Sequence, residues 1–178
     1  WGPGGGGSAG DYSLNISGGC VYVICNGDGL DSNGSINLTG GNIEVWSQSS
    51  GDNEPLDSDG TLTVNGATVF AAGCAGMGQA RPGTGSQTYK NYSTSISANK
   101  LVQVKNGSTV VYNTTSPKSA SYVFFSSPDM STSYTLSSAT GTVSCASSNS
   151  WAHTWDAGVV TTAATTEAPG VLTYTCSV

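Results

Sequence analysis

Basic side chains are scarce in this sequence: five lysines and arginines stand against eleven acidic residues, for a net charge of −6. A chain without a cationic surface has little with which to neutralise phosphates, so no nucleic-acid partner is expected. Histidine is scarcer still. His153, set between Trp151 and Trp155, reads as a packing or surface residue rather than a catalytic base. No stretch of about 18 apolar residues occurs, so no membrane-spanning segment is expected. Helical periodicity is missing as well; apolar residues alternate in short runs broken by Gly-Gly or Asn-Gly, which is the period of strands. Charged residues make up only 9% of the chain, and Gly, Ser, Thr and Asn supply much of the rest. That uncharged polar composition suits a β protein, whose strands want β-branched residues and whose turns want Gly and Asn. The chain begins at Trp1 rather than Met, which is expected of a processed product that has lost a secretion signal and works outside the cell or at its surface.

What the sequence has in place of charge is a repeat. Leu30-Asp31-Ser32-Asn33-Gly34 returns as Leu56-Asp57-Ser58-Asp59-Gly60. Each leads into a matching segment, Ile36 to Gly41 and Leu62 to Ala67, and a third copy of that segment lies upstream at Leu14 to Gly19. The runs that follow are Val21 to Ile24, Ile43 to Trp46 and Val69 to Ala72. A period in the twenties, with two short strands per unit and no helix, points to one supersecondary unit stacked on copies of itself. The expected fold is all-β, a right-handed parallel β-helix (β-solenoid) with a non-repeating C-terminal β cap. Its parts are a Gly-rich arm over 1–10, rungs over 11–139 with a loop excursion near 76–92, and a cap over 140–178. The segments Ser95 to Lys105 and Thr109 to Tyr112 read as two further rungs.

Stacking has a chemical consequence. In a parallel coil equivalent residues lie roughly 4.8 Å apart, so Asp31 stacks over Asp57 and Asn33 over Asp59. Like charges directly opposite each other destabilise a sheet, and a cation between them removes the conflict. Asp28, Asp52, Asn53 and Glu54 lie in the turns before each pentapeptide and complete a set of hard oxygen donors suited to Ca²⁺, which takes six to eight oxygens. Asp and Asn also supply turn geometry before Gly without any metal.

The five cysteines fit an oxidising compartment. Cys145 and Cys176 lie in two late β-like runs and are expected to form a disulfide, which leaves Cys20, Cys25 and Cys74. An extended strand from Cys20 to Cys25 spans roughly 16 Å, too far for a bond between them. N-x-S/T triplets begin at Asn15, Asn33, Asn37, Asn91, Asn106 and Asn113 and are glycan acceptors if the source glycosylates.

The run from Asn26 to Gly34, the segment Ile36 to Gly41, the second pentapeptide after Glu54-Pro55, and the late segment Tyr122 to Pro128 together resemble a family of secreted carbohydrate-binding proteins. The resemblance covers about Tyr12 to Tyr134. It implies a right-handed parallel β-helix that holds calcium between rungs and binds cellulose or acidic sugars such as polygalacturonate. Catalysis is not expected. A lyase wants a basic residue beside calcium, and Arg81, Lys90, Lys100, Lys105 and Lys118 all lie outside the pentapeptide rungs; a hydrolase wants two free carboxylates, and those holding calcium are occupied.

Two non-catalytic readings follow. In one, a polysaccharide or glycan stacks on Tyr22, Trp46 or Tyr112 beside structural calcium. In the other, the chain is a subunit of an extracellular filament, joined head to tail to copies of itself through the Gly-rich arm and the solenoid ends.

Overall fold

The computed structural model describes residues 10–131 and 133–140, and beyond them the short strands Thr154–Trp155, Val159–Thr162, Val171–Thr173 and Cys176–Ser177. The chain divides into two units, Trp1–Val143 and Ser144–Val178. All regular structure among the described residues is strand.

The first unit opens with β1 (Ser13–Ile24), β2 (Leu30–Ser32), β3 (Ser35–Trp46), β4 (Leu56–Ser58), β5 (Leu62–Val64) and β6 (Thr68–Gly73). These pair in parallel. β3 lies between β1 on one side and β5 and β6 on the other, with Leu14 opposite Ile36, Ile36 opposite Leu62, and Ile43 opposite Val69. β2 pairs with β4, Leu30 opposite Leu56. The inward residues of the repeat form one core: Leu30, Ile36, Leu38, Ile43, Val45, Leu56, Leu62, Val64 and Val69 are all buried. Long strands bend where this core turns a corner, at Gly19 and Gly41, whose φ values of 77° and 85° favour glycine.

The parallel β-helix expectation fails beyond β6. No fourth copy of the unit follows, and the chain leaves through residues 74–88 to return as β7 (Tyr89–Ile96), β8 (Lys100–Asn106), β9 (Thr109–Thr115), β10 (Ala120–Ser126) and β11 (Tyr134–Thr140). β10 pairs antiparallel with β6, and β7 antiparallel with β10, so the main sheet runs β1-β3-β6-β10-β7 with both senses in it. The two segments read as further rungs are instead a hairpin. The tight turn after Asn106, with Gly107 at φ 61°, sends β9 back along β8, and β11 completes a separate antiparallel sheet β11-β8-β9. The result is an all-β, sandwich-like arrangement of mixed sheets, not a solenoid.

The main sheet is covered on both faces, which is why β3 ends in four consecutive buried residues instead of alternating. Ile43 and Val45 face the repeat core. Glu44 and Trp46 face the other way, and there Phe70 stacks on Tyr112 of β9 with ring centroids 5.0 Å apart. Phe125 of β10 meets Tyr112 and Tyr134 on the same side.

In the second unit, β12 (Thr154–Trp155) pairs antiparallel with β15 (Cys176–Ser177), and β13 (Val159–Thr162) with β14 (Val171–Thr173). Cys145, the expected partner of Cys176, and His153 lie outside the described residues.

Candidate functional site: the acidic ladder

The β2–β4 pair sets Asp31 directly opposite Asp57 and Ser32 opposite Ser58. Its inward residues, Leu30 and Leu56, are buried, so period-2 alternation sends both aspartates outward. The loops before the two strands are tied together. Asp28 Oδ1 accepts from the Glu54 amide at 2.7 Å, Gly29 N donates to Glu54 O at 2.9 Å, and Leu30 N donates to Pro55 O at 3.1 Å. A Cβ on Gly29 would lie 2.3 Å from Pro55 O, so this close approach requires glycine. On the far side Asp59 N donates to Ser32 O at 3.1 Å. Glu54 Oε1 accepts from Gly78 N at 3.0 Å, which joins the ladder to the turn after β6.

Asp28, Asp31, Glu54, Asp57 and Asp59 are linked electrostatically along this stretch. Partial burial raises Asp57, with Asp28, Asp31 and Asp59 adding repulsion. Burial also raises Asp31, with contributions from Asp28 and Asp59. Glu54 is raised by burial and by Asp57, against a lowering from the Gly78 and Met77 amides, with a smaller rise from Asp28. A carboxylate whose pKa is higher in the folded than in the unfolded chain binds protons more readily when folded. The ladder therefore costs least below the usual carboxylate range and weakens the fold as pH rises through the raised values.

Of the eight residues expected to ligate calcium, Asp28, Asp31, Glu54, Asp57 and Asp59 share this field. Asn53 Nδ2 is taken by Gln48 Oε1 at 2.7 Å. Asp52 and Asn33 are exposed, and Asp52 is not among the charges that act on the raised groups. The donor set is all hard oxygen, which fits calcium in kind. It does not converge: among the described residues no three His, Cys, Asp or Glu side chains are grouped to hold a metal ion.

The expected sugar platforms are placed differently from one another. Trp46 and Tyr112 are buried between the sheets and offer no ring face to solvent. Tyr22 is 51% exposed on β1. A period-2 pattern shows that a side chain leaves the strand on a given face, but not whether a distant segment covers that face.

The sequon asparagines divide in the same way. Asn15, Asn33 and Asn106 are exposed, while Asn113 is buried. Asn37 Nδ2 donates to Asn15 Oδ1 at 2.9 Å. Asn91 is held by Ala80 O and by the Tyr122 hydroxyl.

Cys25 and Cys74 are free thiols used within the fold. Cys25 Sγ lies 3.1 Å from Asp28 O, and Cys74 Sγ 2.8 Å from Asn53 O, each at a loop that leads into the ladder.

One polar residue that sequence reading passed over is Glu44. It is fully buried and accepts from Trp46 Nε1 at 2.6 Å, Tyr112 Oη at 2.6 Å and Thr114 Oγ1 at 2.7 Å. Its signal was a lone carboxylate inside the apolar run Ile43-Glu44-Val45-Trp46.

The chain matches no family model, no curated protein and no solved structure.

Proposed function

We propose that the chain is a non-catalytic extracellular β domain that takes up calcium at the Asp31–Asp57 ladder and binds carbohydrate beside it. The observation that supports this reading is the pairing of Asp31 with Asp57 in a parallel ladder, where each added negative charge makes the next harder to hold. A divalent cation relieves that repulsion without a preformed cage, because calcium completes its shell with water and backbone oxygens. Asp31 and Asp57 are the two residues that would hold it, with Asp28, Glu54 and Asp59 supplying the surrounding field. The bound ion would supply positive charge to a surface otherwise unsuited to an acidic sugar. For ring stacking the reading keeps Tyr22 alone of the three aromatics.

The test is co-sedimentation of the chain with insoluble polygalacturonate and with cellulose, in calcium and in chelator. Retention on polygalacturonate is expected in calcium, with loss in chelator and weakening in Tyr22→Ala. Equal retention with and without calcium, or none on either polymer, contradicts the reading.

A further inference from the structure

Four Asn-Gly pairs occur in the chain, beginning at Asn26, Asn33, Asn65 and Asn106. In such a pair the glycine has no side chain to keep its amide nitrogen away from the asparagine carboxamide, so what the fold does to those two groups decides whether they react. Three of the pairs are restrained or lack activation. Gly66 N donates to Gln87 Oε1 at 2.7 Å. Gly34 N donates to Ser32 Oγ at 3.2 Å, and a Cβ on Gly34 would lie 2.0 Å from Tyr12 O, so that backbone has no room to move. Asn106 is exposed, but the donor to its Oδ1 is the neutral hydroxyl of Ser133, at 3.0 Å.

Asn26-Gly27 differs from the others on each count. It lies in the turn that follows β1, with Asn26 exposed. A Cβ on Gly27 would meet nothing within 4 Å, and Gly27 N donates to no described atom. The nucleophile is therefore open. The carboxamide is not. From the loop between β9 and β10, Lys118 Nζ reaches across to donate to Asn26 Oδ1 at 3.1 Å and to Cys25 O. An ammonium on that oxygen draws electron density from Cγ and stands where negative charge gathers when a nucleophile adds there, which is the placement of an oxyanion donor. This cation is also unspent. Both of its acceptors are neutral oxygens, and among the described residues it has no carboxylate partner.

We propose that Asn26 is a self-modification site, at which Lys118 promotes conversion of the asparagine to aspartate by attack from its own chain. Gly27 N bonds to Asn26 Cγ, and the carbonyl electron pair moves onto Oδ1 beside Lys118. Collapse of that adduct breaks the Cγ–Nδ2 bond. Nδ2 leaves as ammonia, and the proton it gains is balanced by the one that Gly27 N gives up to water. Water then opens the cyclic imide at either of its carbonyls, to give aspartate or isoaspartate. No oxidant, reductant or cofactor enters the balance. The aspartate product sets a carboxylate against Lys118 and turns an ion–dipole contact into an ion pair, which ties the end of β1 more firmly to the loop after β9. This inference stands apart from the calcium and carbohydrate reading, since neither Asp31 nor Asp57 takes part.

The experiment stores the folded full chain at neutral pH in chelator and follows the peptides that carry Asn26 and Asn106 by mass spectrometry. Exchange of ammonia for water marks each conversion. Because the site is open to solvent, the gain is smaller than that of a buried oxyanion donor, and Asn26 is expected to convert roughly tenfold faster than Asn106. Lys118→Met is expected to bring Asn26 down to the Asn106 rate and leave Asn106 unchanged, while Lys118→Arg keeps the charge and most of the rate. An Asn26 that converts no faster than Asn106 in the folded wild type overturns the proposal. So does a Lys118→Met variant in which Asn26 converts as fast as in the wild type or faster, since Lys118 would then do nothing or hold the carboxamide back. A peptide joined through residues 26 and 118, with ammonia lost and no water gained, also overturns it, because Lys118 itself would be the nucleophile. Should Lys118→Met fail to fold, the wild type in urea decides. Unfolding takes Lys118 away from Asn26, so the two rates should converge; a preference for Asn26 that survives unfolding belongs to the local sequence and refutes the role of Lys118.

Discussion

Replacing Glu44 with alanine is expected to lower the unfolding free energy by roughly 4 kcal/mol, the largest effect of any single polar substitution among the described residues. The carboxylate is fully buried and takes hydrogen bonds from Trp46, Tyr112 and Thr114. Trp46 is a neighbour on its own strand, but the other two donors belong to β9, so this one side chain links the two sheets. Its loss leaves three buried donors without their acceptor, each costing about 1–3 kcal/mol. For a domain whose whole stability is of order 5–15 kcal/mol, that approaches unfolding. Glu44→Gln keeps the shape and one carbonyl acceptor but turns an amide donor toward donors, and is expected to cost about half as much. Urea denaturation followed by circular dichroism measures both. A midpoint for Glu44→Ala within error of the wild type would mean that the network does not bind the sheets together.

The second large effect is expected at Phe70. Its ring has no exposure and stacks on Tyr112 at 5.0 Å and against Trp46 at 5.4 Å, so it fills the centre of the space between the main sheet and β9. Phe70→Ala should cost about 3–5 kcal/mol, from lost transfer free energy and the cavity left behind. The damage should be one-sided. Near-ultraviolet ellipticity from the packed rings should collapse with Phe70→Ala, whereas Phe124→Ala, which opens the repeat core on the opposite face of the sheet, should destabilise while largely preserving it. Equal spectral loss from both would argue against two separately packed faces.

The two substitutions also show where sequence reading reached its limit. The repeat gave the local register: Leu14, Ile36 and Leu62 fall in one row, and Asp31 meets Asp57, because identical segments at a fixed period have only one alignment that keeps their apolar faces together. Past Ala75 the repeat ends, and alternation alone does not distinguish a parallel rung from an antiparallel return. Ser95 to Lys105 and Thr109 to Tyr112 therefore read as rungs, although the Asn106-Gly107 turn makes β8 and β9 a hairpin. Trp46 and Tyr112 were misread as platforms for the same reason. They lie 66 positions apart in sequence, and only the return of β9 over the main sheet buries both. Glu44 gained its meaning from that same return. Within the acidic ladder the sequence placed Asp31 and Asp57 in register but not the turn residues, since Asp28 caps the Glu54 amide, Asn53 bonds to Gln48 and Asp52 is exposed.

The measurement that bears most directly on the ladder is the melting temperature at pH 7 in calcium and in chelator, for the wild type and for Asp57→Asn. The sign follows from the raised pKa values of Asp31, Glu54 and Asp57. At pH 7 the ladder is ionised and self-repelling, so calcium should raise the melting temperature. The effect of calcium should shrink as pH falls through the raised values of Asp31, Glu54 and Asp57. Asp57→Asn should melt higher than the wild type in chelator, by the few tenths to 1 kcal/mol that opposed like charges cost in a sheet, and should lose most of its response to calcium. A wild type that melts at the same temperature with calcium and with chelator at pH 7 would contradict the cation-binding account.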